Sequence, residues 1–389
     1  MKINRAYKTE LDPNNVQKTL LRKHTGVARW TYNYAVDRDI EYYNENHKTI
    51  SWFDISKEIT ALKHTPEEKG GKPWLGEVSK CVPQCTLQDF NQARKNAFQR
   101  CKNGAKEKGF PKHKKKYHGN GSFRVTQTII TEEKRIKLPI IGWIKLKRYG
   151  YLPIFGQKNI KIFSATISEE NYHWFVSLNV EETIPDPIQP TGEPLGIDVG
   201  VKTLAVLSDG TVFENPKAAK KNEKHTKFLQ KELSRKKKGS KNREEAKKRL
   251  AKHCKHVANI RKDSTNKATS EVIAKRPKQI SIETLSVQNM MKNHKLAGVI
   301  ADASMSEFHR QIEYKAKWAG IPVVKADRFF PSSKMCSHCG TINESLTLED
   351  RIFKCEYGFV IDRDLNAAIN LRDMAGGLTA TDYCLGSSG

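Results

Sequence analysis

The stretch DRDLNAAINL, residues 362–371, puts two acids ahead of a run with helical character. Ala367 and Ala368 carry almost no side chain, so a helix built from this stretch can lie close against another element. An acid borne on it, Asp364, would then be held against whatever the helix packs on. Two strand-like runs upstream also carry acids. Asp198 is read mid-strand in GIDVG (196–200), and Glu283 near the end of the strand in ISIETL (280–285).

Strand Asp, later strand Glu, then helix-borne Asp suits an α/β core of the ribonuclease H-like kind. In such a core the two acid-bearing strands lie side by side and the late helix crosses their ends. Three carboxylates from distant sequence could meet there, and the chemistry needs them to. Two Mg²⁺ ions about 3.5–4 Å apart support phosphodiester cleavage, and Mg²⁺ takes oxygen ligands. Acids gathered without metal would repel one another. Each motif alone is weak. GIDVG equally fits the phosphate loop of the actin-like ATPases, or a plain strand with a surface Asp. The ATPase reading expects a second Gly-rich phosphate motif downstream, and none is found. The ordered trio is the stronger signal.

Composition points the same way. Lys+Arg number 69 against 43 Asp+Glu in 389 residues, a net charge of +26. That surplus repels itself unless a polyanion neutralises it, and nucleic acid is the natural candidate. The N-terminus MKINRAYKTELDPNN has no apolar leader segment, and no apolar run is long enough to span a membrane. Eight scattered cysteines suggest thiols or metal ligands in a reducing, cytoplasmic setting rather than a disulfide framework.

Along the chain, KINRAYK (2–8) alternates like a strand. A helix is expected after it, with Asp12 as N-cap and Pro13 in the first turn. A second helix covers roughly 84–103. A basic Gly/Pro loop (104–121) leads into period-two runs at 122–150 and 161–183 that resemble a small antiparallel barrel. TIPDPIQPTGEP (183–194), with four prolines, reads as a linker. Residues 217–267 hold 20 Lys/Arg against 5 Asp/Glu and read as two helices joined near Gly239-Ser240. Cys336-x2-Cys339, a gap of 15 residues and Cys355 form most of a metal knuckle, with Gly358 where a fourth cysteine is due. Structural Zn²⁺ normally takes four ligands.

At this point the chain resembles the TnpB (OrfB) family of transposon-encoded RNA-guided nucleases, relatives of type V CRISPR effectors. LGIDVGVKTLAVLSDG, the basic run after Ser234, ISIETLSVQNMMKN, FFPSSKMCSHCG and CEYGFVIDRDLNAAINL carry the resemblance most specifically. RWTYNYAVD, LQDFNQARKNAF and KGFPKHKKKYHGNGSFRV look like the family's recognition helices and the opening of its wedge barrel. The resemblance implies a RuvC-like nuclease domain (186–327 with 360–375, carrying the basic insertion 217–267). It further implies a wedge β-barrel (1–10 with 105–185), a helical recognition domain within it (11–104), a zinc-ribbon-like target-strand-loading insertion (328–359) and an unstructured tail (376–389).

In function, the resemblance implies a Mg²⁺-dependent endonuclease that binds a transposon-end guide RNA. It would cut guide-complementary double-stranded DNA beside a short flanking motif. Asp198, Glu283 and Asp364 match the catalytic acids, with Asp362 facing away in support. Lys80 and Gln84 resemble the flanking-motif readers. Lys112, Lys114, Lys115 and Lys116, interleaved with His113 and Tyr117, are candidates for RNA contact. Arg235, Lys236, Lys237, Lys238, Arg243 and Arg261 are candidates for contact with the guide–target duplex. Against the family's two C-x2-C pairs, CEYGF is one residue short, and the residue lost is a cysteine. His338 is badly placed to complete the site, and nothing in the sequence positions Cys384. A three-ligand zinc site and a metal-free remnant both stay open. Two other functions also stay open: an RNA-guided binding protein with lost cleavage, and a structure-specific nuclease working without RNA.

Overall fold

A computed structural model of the chain describes residues 1–116, 121–347 and 350–375. Tyr117, Cys384 and the tail 376–389 lie outside them. The chain divides into two compact units, Met1–Pro185 and Asp186–Gly389.

In the first unit β1 (Lys2–Asp12) precedes α1 (Asn15–Asn46), α2 (Trp52–His64) and α3 (Cys81–Lys102). Then follow β2 (Ser122–Val125), β3 (Ile130–Thr131), β4 (Arg135–Leu138), β5 (Gly142–Leu146), β6 (Ile160–Glu170) and β7 (His173–Thr183). The strands form one antiparallel sheet in the order β2-β6-β7-β1-β5-β4-β3. Trp174, Val176, Leu178 and Val180 alternate along β7 and are all buried, the period-two pattern of a sheet with one covered face. That face and the three helices share one apolar core.

The start of α1 differs from expectation. Asp12 is still paired with Lys145 in the sheet, so it cannot cap the helix. Asn14 does so instead: its side chain accepts the Gln17 N–H at 2.9 Å, and the Gln17 side chain accepts the Asn14 N–H at 3.0 Å. Helix α2 was not anticipated, although Ser51 at its N-cap and Trp52, Ile55 and Ile59 on one side mark it.

The second unit begins with β8 (Leu195–Asp198), β9 (Thr203–Leu207) and β10 (Val212–Glu214). Next come α4 (Ala218–Lys221), α5 (Glu223–Ser234), α6 (Lys241–Ala274) and β11 (Ile280–Ile282). After these stand α7 (Val287–Met290), α8 (His294–Ala303), α9 (Met305–Ala319), β12 (Val323–Lys325), β13 (Ile352–Lys354), β14 (Val360–Asp362) and α10 (Arg363–Ala375). The main sheet has the order β10-β9-β8-β11-β12. Its first three strands form an antiparallel meander, and β11 runs parallel to both β8 and β12. The basic pair α5 and α6 is joined near Gly239-Ser240 as expected, with Ser240 capping α6. Among the described residues no helix is long and apolar enough to cross a membrane.

Candidate active site

Strands β8 and β11 are in parallel register, with Leu195 opposite Ile280 and Ile197 opposite Ile282. The residue after each last pair is an acid, Asp198 on one strand and Glu283 on the other. Adjacent strands stand about 4.8 Å apart, so two carboxylates leave neighbouring strand ends at the carboxyl edge, where open α/β sheets bind ligands. Asp198 is thus the last residue of its strand, not mid-strand. The hairpin turn begins directly after it.

Helix α10 brings the third acid. A Cβ at Gly196 would stand 1.9 Å from the Ala368 carbonyl oxygen and 2.5 Å from the Arg372 nitrogen. Only glycine lets the helix backbone come this close to β8, and the buried Ala367 and Ala368 keep the helix side equally thin. Asp362 caps α10, its Oδ1 accepting the N–H of Asp364 at 2.9 Å and of Leu365 at 3.0 Å. Its supporting part is therefore to start the helix. Asp364 lies in the first turn, where the helix dipole favours a carboxylate, 3.1 Å from the Arg363 guanidinium.

Asp198 feels the other two acids. Burial pushes the Asp198 carboxyl well above the usual carboxylate range, and the charges of Glu283 and Asp364 push it further; Arg363 opposes them. Asp198 nevertheless keeps some surface open to solvent. A divalent cation would relieve this cost, and an all-carboxylate donor set suits a hard one. A cleft lined by Glu193, Asp209, Lys275 and Arg372 lies at the other end of β8, away from the acids.

Glu283 is oriented by the segment that leads to the cysteines. Ser332 donates its hydroxyl to Glu283 Oε1 at 2.5 Å. Two buried asparagines of α10 grip the same segment. Asn370 Nδ2 donates to the carbonyls of Ser332 and Met335, both at 2.7 Å. Asn366 donates to the Met335 carbonyl at 2.6 Å and accepts the Ser337 N–H at 2.9 Å. Sequence reading missed Ser332, Asn366 and Asn370. The available signal was a pair of asparagines four apart inside a helix, a poor place for them unless their amides are used. Asn370→Ala is expected to lower the melting temperature by roughly 2–12 °C, from about 1–3 kcal/mol of lost buried hydrogen bonding. Limited proteolysis should then cut faster near residues 333–347.

The cysteines do meet. The sulfurs of Cys336, Cys339 and Cys355 all lie within 4.8 Å of one another, and Cys339 and Cys355 are 3.3 Å apart. The missing ligand can be located. In the first knuckle Gly340 N–H donates to the Cys336 carbonyl and Cys336 N–H to Thr341; in the second, Gly358 N–H donates to Cys355 and Cys355 N–H to Phe359. Gly340 and Gly358 share a left-handed conformation, φ 77° and 83°. The second turn is the first with one residue deleted, just before its glycine. His338 stacks on Phe359 instead of joining the cluster, and no fourth donor joins it among the described residues. Burial pushes the Cys336 thiol up to about 11. Burial also acts on Cys339, but hydrogen bonds with Thr341 and the other thiols outweigh it and bring it down to about 7.

The basic candidates separate by what they touch. Arg235, Lys237 and Lys238 are exposed between α5 and α6, with Lys236 half-buried beside them. Arg243 instead donates to the carbonyls of Leu233 (2.6 Å) and Lys236 (2.9 Å), closing the end of α5. Arg261 faces the buried Asp302 at 3.6 Å, and Asp302 accepts the N–H groups that open α4. In the first unit Lys80 and Gln84 are exposed one turn apart at the start of α3. Lys112, Lys115 and Lys116 are exposed. Lys114 lays its ammonium over the Tyr32 ring at 3.8 Å, while Asn33 brackets its backbone N–H and carbonyl.

A meander, a parallel fourth and fifth strand and three acids at one sheet edge define a ribonuclease H-like, RuvC-type nuclease fold. Comparison with known proteins gives the family. Residues 176–294 match the OrfB_IS605 model, described as "Probable transposase", and 306–371 the Cas12f1-like TNB domain. Residues 1–48 match a model described as a helix-turn-helix domain; here they form β1 and α1. A "Putative RNA-guided DNA endonuclease" of Streptomyces pristinaespiralis is 32% identical, over 97% of this chain and 90% of the relative. "Putative RNA-guided DNA endonuclease InsQ" of Escherichia coli K12 is 30% identical, over 95% and 92%. A Cas12f1 chain solved with sgRNA and target DNA shares the fold, with a TM-score of 0.54 at 14% identity over 95% of this chain and 99% of that one. The chain belongs to the TnpB (OrfB) family of transposon-encoded proteins.

Proposed function

We propose that this chain is an RNA-guided DNA endonuclease that hydrolyses phosphodiester bonds of guide-complementary DNA beside a short flanking motif. The observation that carries the reading is the convergence of Asp198, Glu283 and Asp364 at one sheet edge, with Asp198 burdened by its neighbours' charge. The net charge of +26 and the names borne by the full-length relatives support it.

Asp198, Glu283 and Asp364 would hold Mg²⁺, which when bound neutralises the acids and acts as a Lewis acid toward the scissile phosphate. The chain's own groups set the stage. Ser332 fixes the rotamer of Glu283, Asp362 starts the helix that presents Asp364, and Arg363 balances Asp364's charge. The run Arg235–Lys238, exposed at Arg235, Lys237 and Lys238, and the loop lysines Lys112, Lys115 and Lys116 would offer salt-sensitive contacts to guide RNA and duplex phosphates. Lys80 and Gln84 would read the flanking motif. Arg243, Arg261 and Lys114 act first as structural ties and contribute field rather than reach.

The three sulfurs fit a thiophilic ion, and Cys336, Cys339 and Cys355 would hold Zn²⁺ through three thiolates. Elemental analysis is expected to find near one zinc per chain, lost in Cys336→Ser. Cleavage by that variant should fall less than in Asp364→Ala, because the carboxylates carry the chemistry.

The test is to purify the protein from its host locus, sequence the bound RNA, and assay a plasmid library carrying matched targets. Mg²⁺-dependent cutting that requires that RNA is the expected result. Cutting without RNA, or RNA-guided binding without cutting, would overturn it.

A further inference from the structure

The loop between β12 and the first cysteine knuckle, residues 326–332, is fastened at both ends to the residues around Glu283. At its start Ala326 N–H donates to the Ile282 carbonyl at 2.8 Å, and the Thr284 hydroxyl donates to the Ala326 carbonyl at 2.7 Å. At its end Ser332 holds Glu283 itself. Between them Asp327 makes a tight turn, its side chain accepting the Phe329 N–H at 2.8 Å and its carbonyl the Phe330 N–H at 3.1 Å. The product of this bracing is a phenylalanine left in water: Phe329 is 84% exposed. The Arg328 guanidinium lies 5.7 Å from the centre of its ring.

A lone exposed aromatic on a free surface needs no explanation. This one stands on a braced loop whose two anchors flank a proposed catalytic carboxylate. A ring so held has a full face to offer, and the nearby guanidinium adds a charge suited to phosphate. Flat apolar rings beside cationic groups are how proteins grip unpaired nucleotides, because every base has a face to stack.

Resting on the nuclease reading above, we infer that Arg328 and Phe329 form a binding site for an unpaired deoxynucleotide of the strand to be cut. Phe329 stacks on the base, Arg328 meets a neighbouring phosphate, and the brace to Glu283 sets the distance from that nucleotide to the acids. Phe329 is a positioning residue, since it touches the strand and not the reacting phosphate.

Because the chain is so basic, bulk affinity for DNA would hide one stacking contact, so the experiment reads the contact directly. Full-length protein is photocrosslinked to a single-stranded oligodeoxynucleotide carrying 5-iodo-2′-deoxyuridine, and the joined peptide is mapped by mass spectrometry. A crosslink at Phe329, lost in Phe329→Ala, is expected. In guided cleavage, Phe329→Ala should be slower by about 5- to 150-fold, the equivalent of a stacking contact of about 1–3 kcal/mol, and Phe329→Trp should restore most of it. The ring is exposed, so neither variant endangers folding. Crosslinks confined to other residues, together with unchanged cleavage by Phe329→Ala, would overturn the inference. The crosslink needs neither guide nor cutting. A chain that crosslinks at Phe329 but never cuts therefore fails the nuclease reading alone, and one that cuts without that contact fails this inference alone.

Discussion

Asp198→Asn protein is expected to be crippled in Mg²⁺-dependent cleavage yet more heat-stable than the parent in EDTA. The two effects share one cause. Asp198 is largely withdrawn from water and feels the charges of Glu283 and Asp364, so its ionised form is disfavoured in the folded chain. Its folded pKa lies above the unfolded value. Between those two values the folded chain binds more protons than the unfolded one, so stability falls as pH rises through that window and levels off above the folded pKa. Asparagine removes the slope. The variant's advantage should be small near about pH 4 and grow toward neutrality, each kcal/mol raising the melting temperature by about 2–4 °C for a unit of this size. If the folded acids hold Mg²⁺ as proposed, it should stabilise the parent, by about 2.7 kcal/mol at a hundredfold excess over its Kd, while leaving the variant nearly unmoved. Cleavage should drop by about 10³-fold, the equivalent of roughly 4 kcal/mol of lost transition-state stabilisation. Asp364→Ala should lose cleavage similarly without the stability gain, because it removes the carboxylate that pairs with Arg363. Thermal scans with EDTA or Mg²⁺ across the pH range check this. An Asp198→Asn chain that melts below the parent in EDTA at neutral pH would show that the acids are not in conflict.

The acids could be picked out of the sequence because the chemistry proposed for them demands particular residue types in a particular order. Asp198, Glu283 and Asp364 were named from strand, strand and helix alone, and the observed register of β8 and β11 places the first two side by side. The long elements were legible too, from their periods. What was not legible depended on partners distant in sequence. Asp12 looks like a helix cap until its pairing with Lys145 is known. Arg243 and Arg261 look like any other members of a basic run, and only carbonyls at Leu233 and Lys236, or Asp302 on α8, distinguish them. Ser332, Asn366 and Asn370 are neutral residues whose value lies wholly in geometry, so composition and charge gave no reason to single them out.

Gly196→Val is expected to disable the nuclease without touching any acid. The substitution adds a Cβ where the Ala368 carbonyl oxygen stands at 1.9 Å and the Arg372 nitrogen at 2.5 Å. Both neighbours are backbone, so no rotamer change can make room and α10 must move away from β8. Overfilling a close contact costs about 1–3 kcal/mol, sometimes more, which predicts a drop of several degrees in melting temperature. The larger effect is on cleavage. Asp364 travels with α10 while Asp198 and Glu283 stay with the sheet, and a displacement of about 1 Å in a catalytic set can cost about 10²-fold. The same movement would drag Asn366 and Asn370, loosening the segment that holds Ser332 on Glu283. Two of the three acids would thus be disturbed through one contact. Gly298→Ala in α8 is the control, since a Cβ there meets nothing within 4 Å and should add about 0.5–1 kcal/mol of helix stability. Gly196→Val protein that keeps full cleavage and Mg²⁺-dependent stabilisation would mean that α10 does not set the position of Asp364. The acid trio would then have to be held together by some other contact.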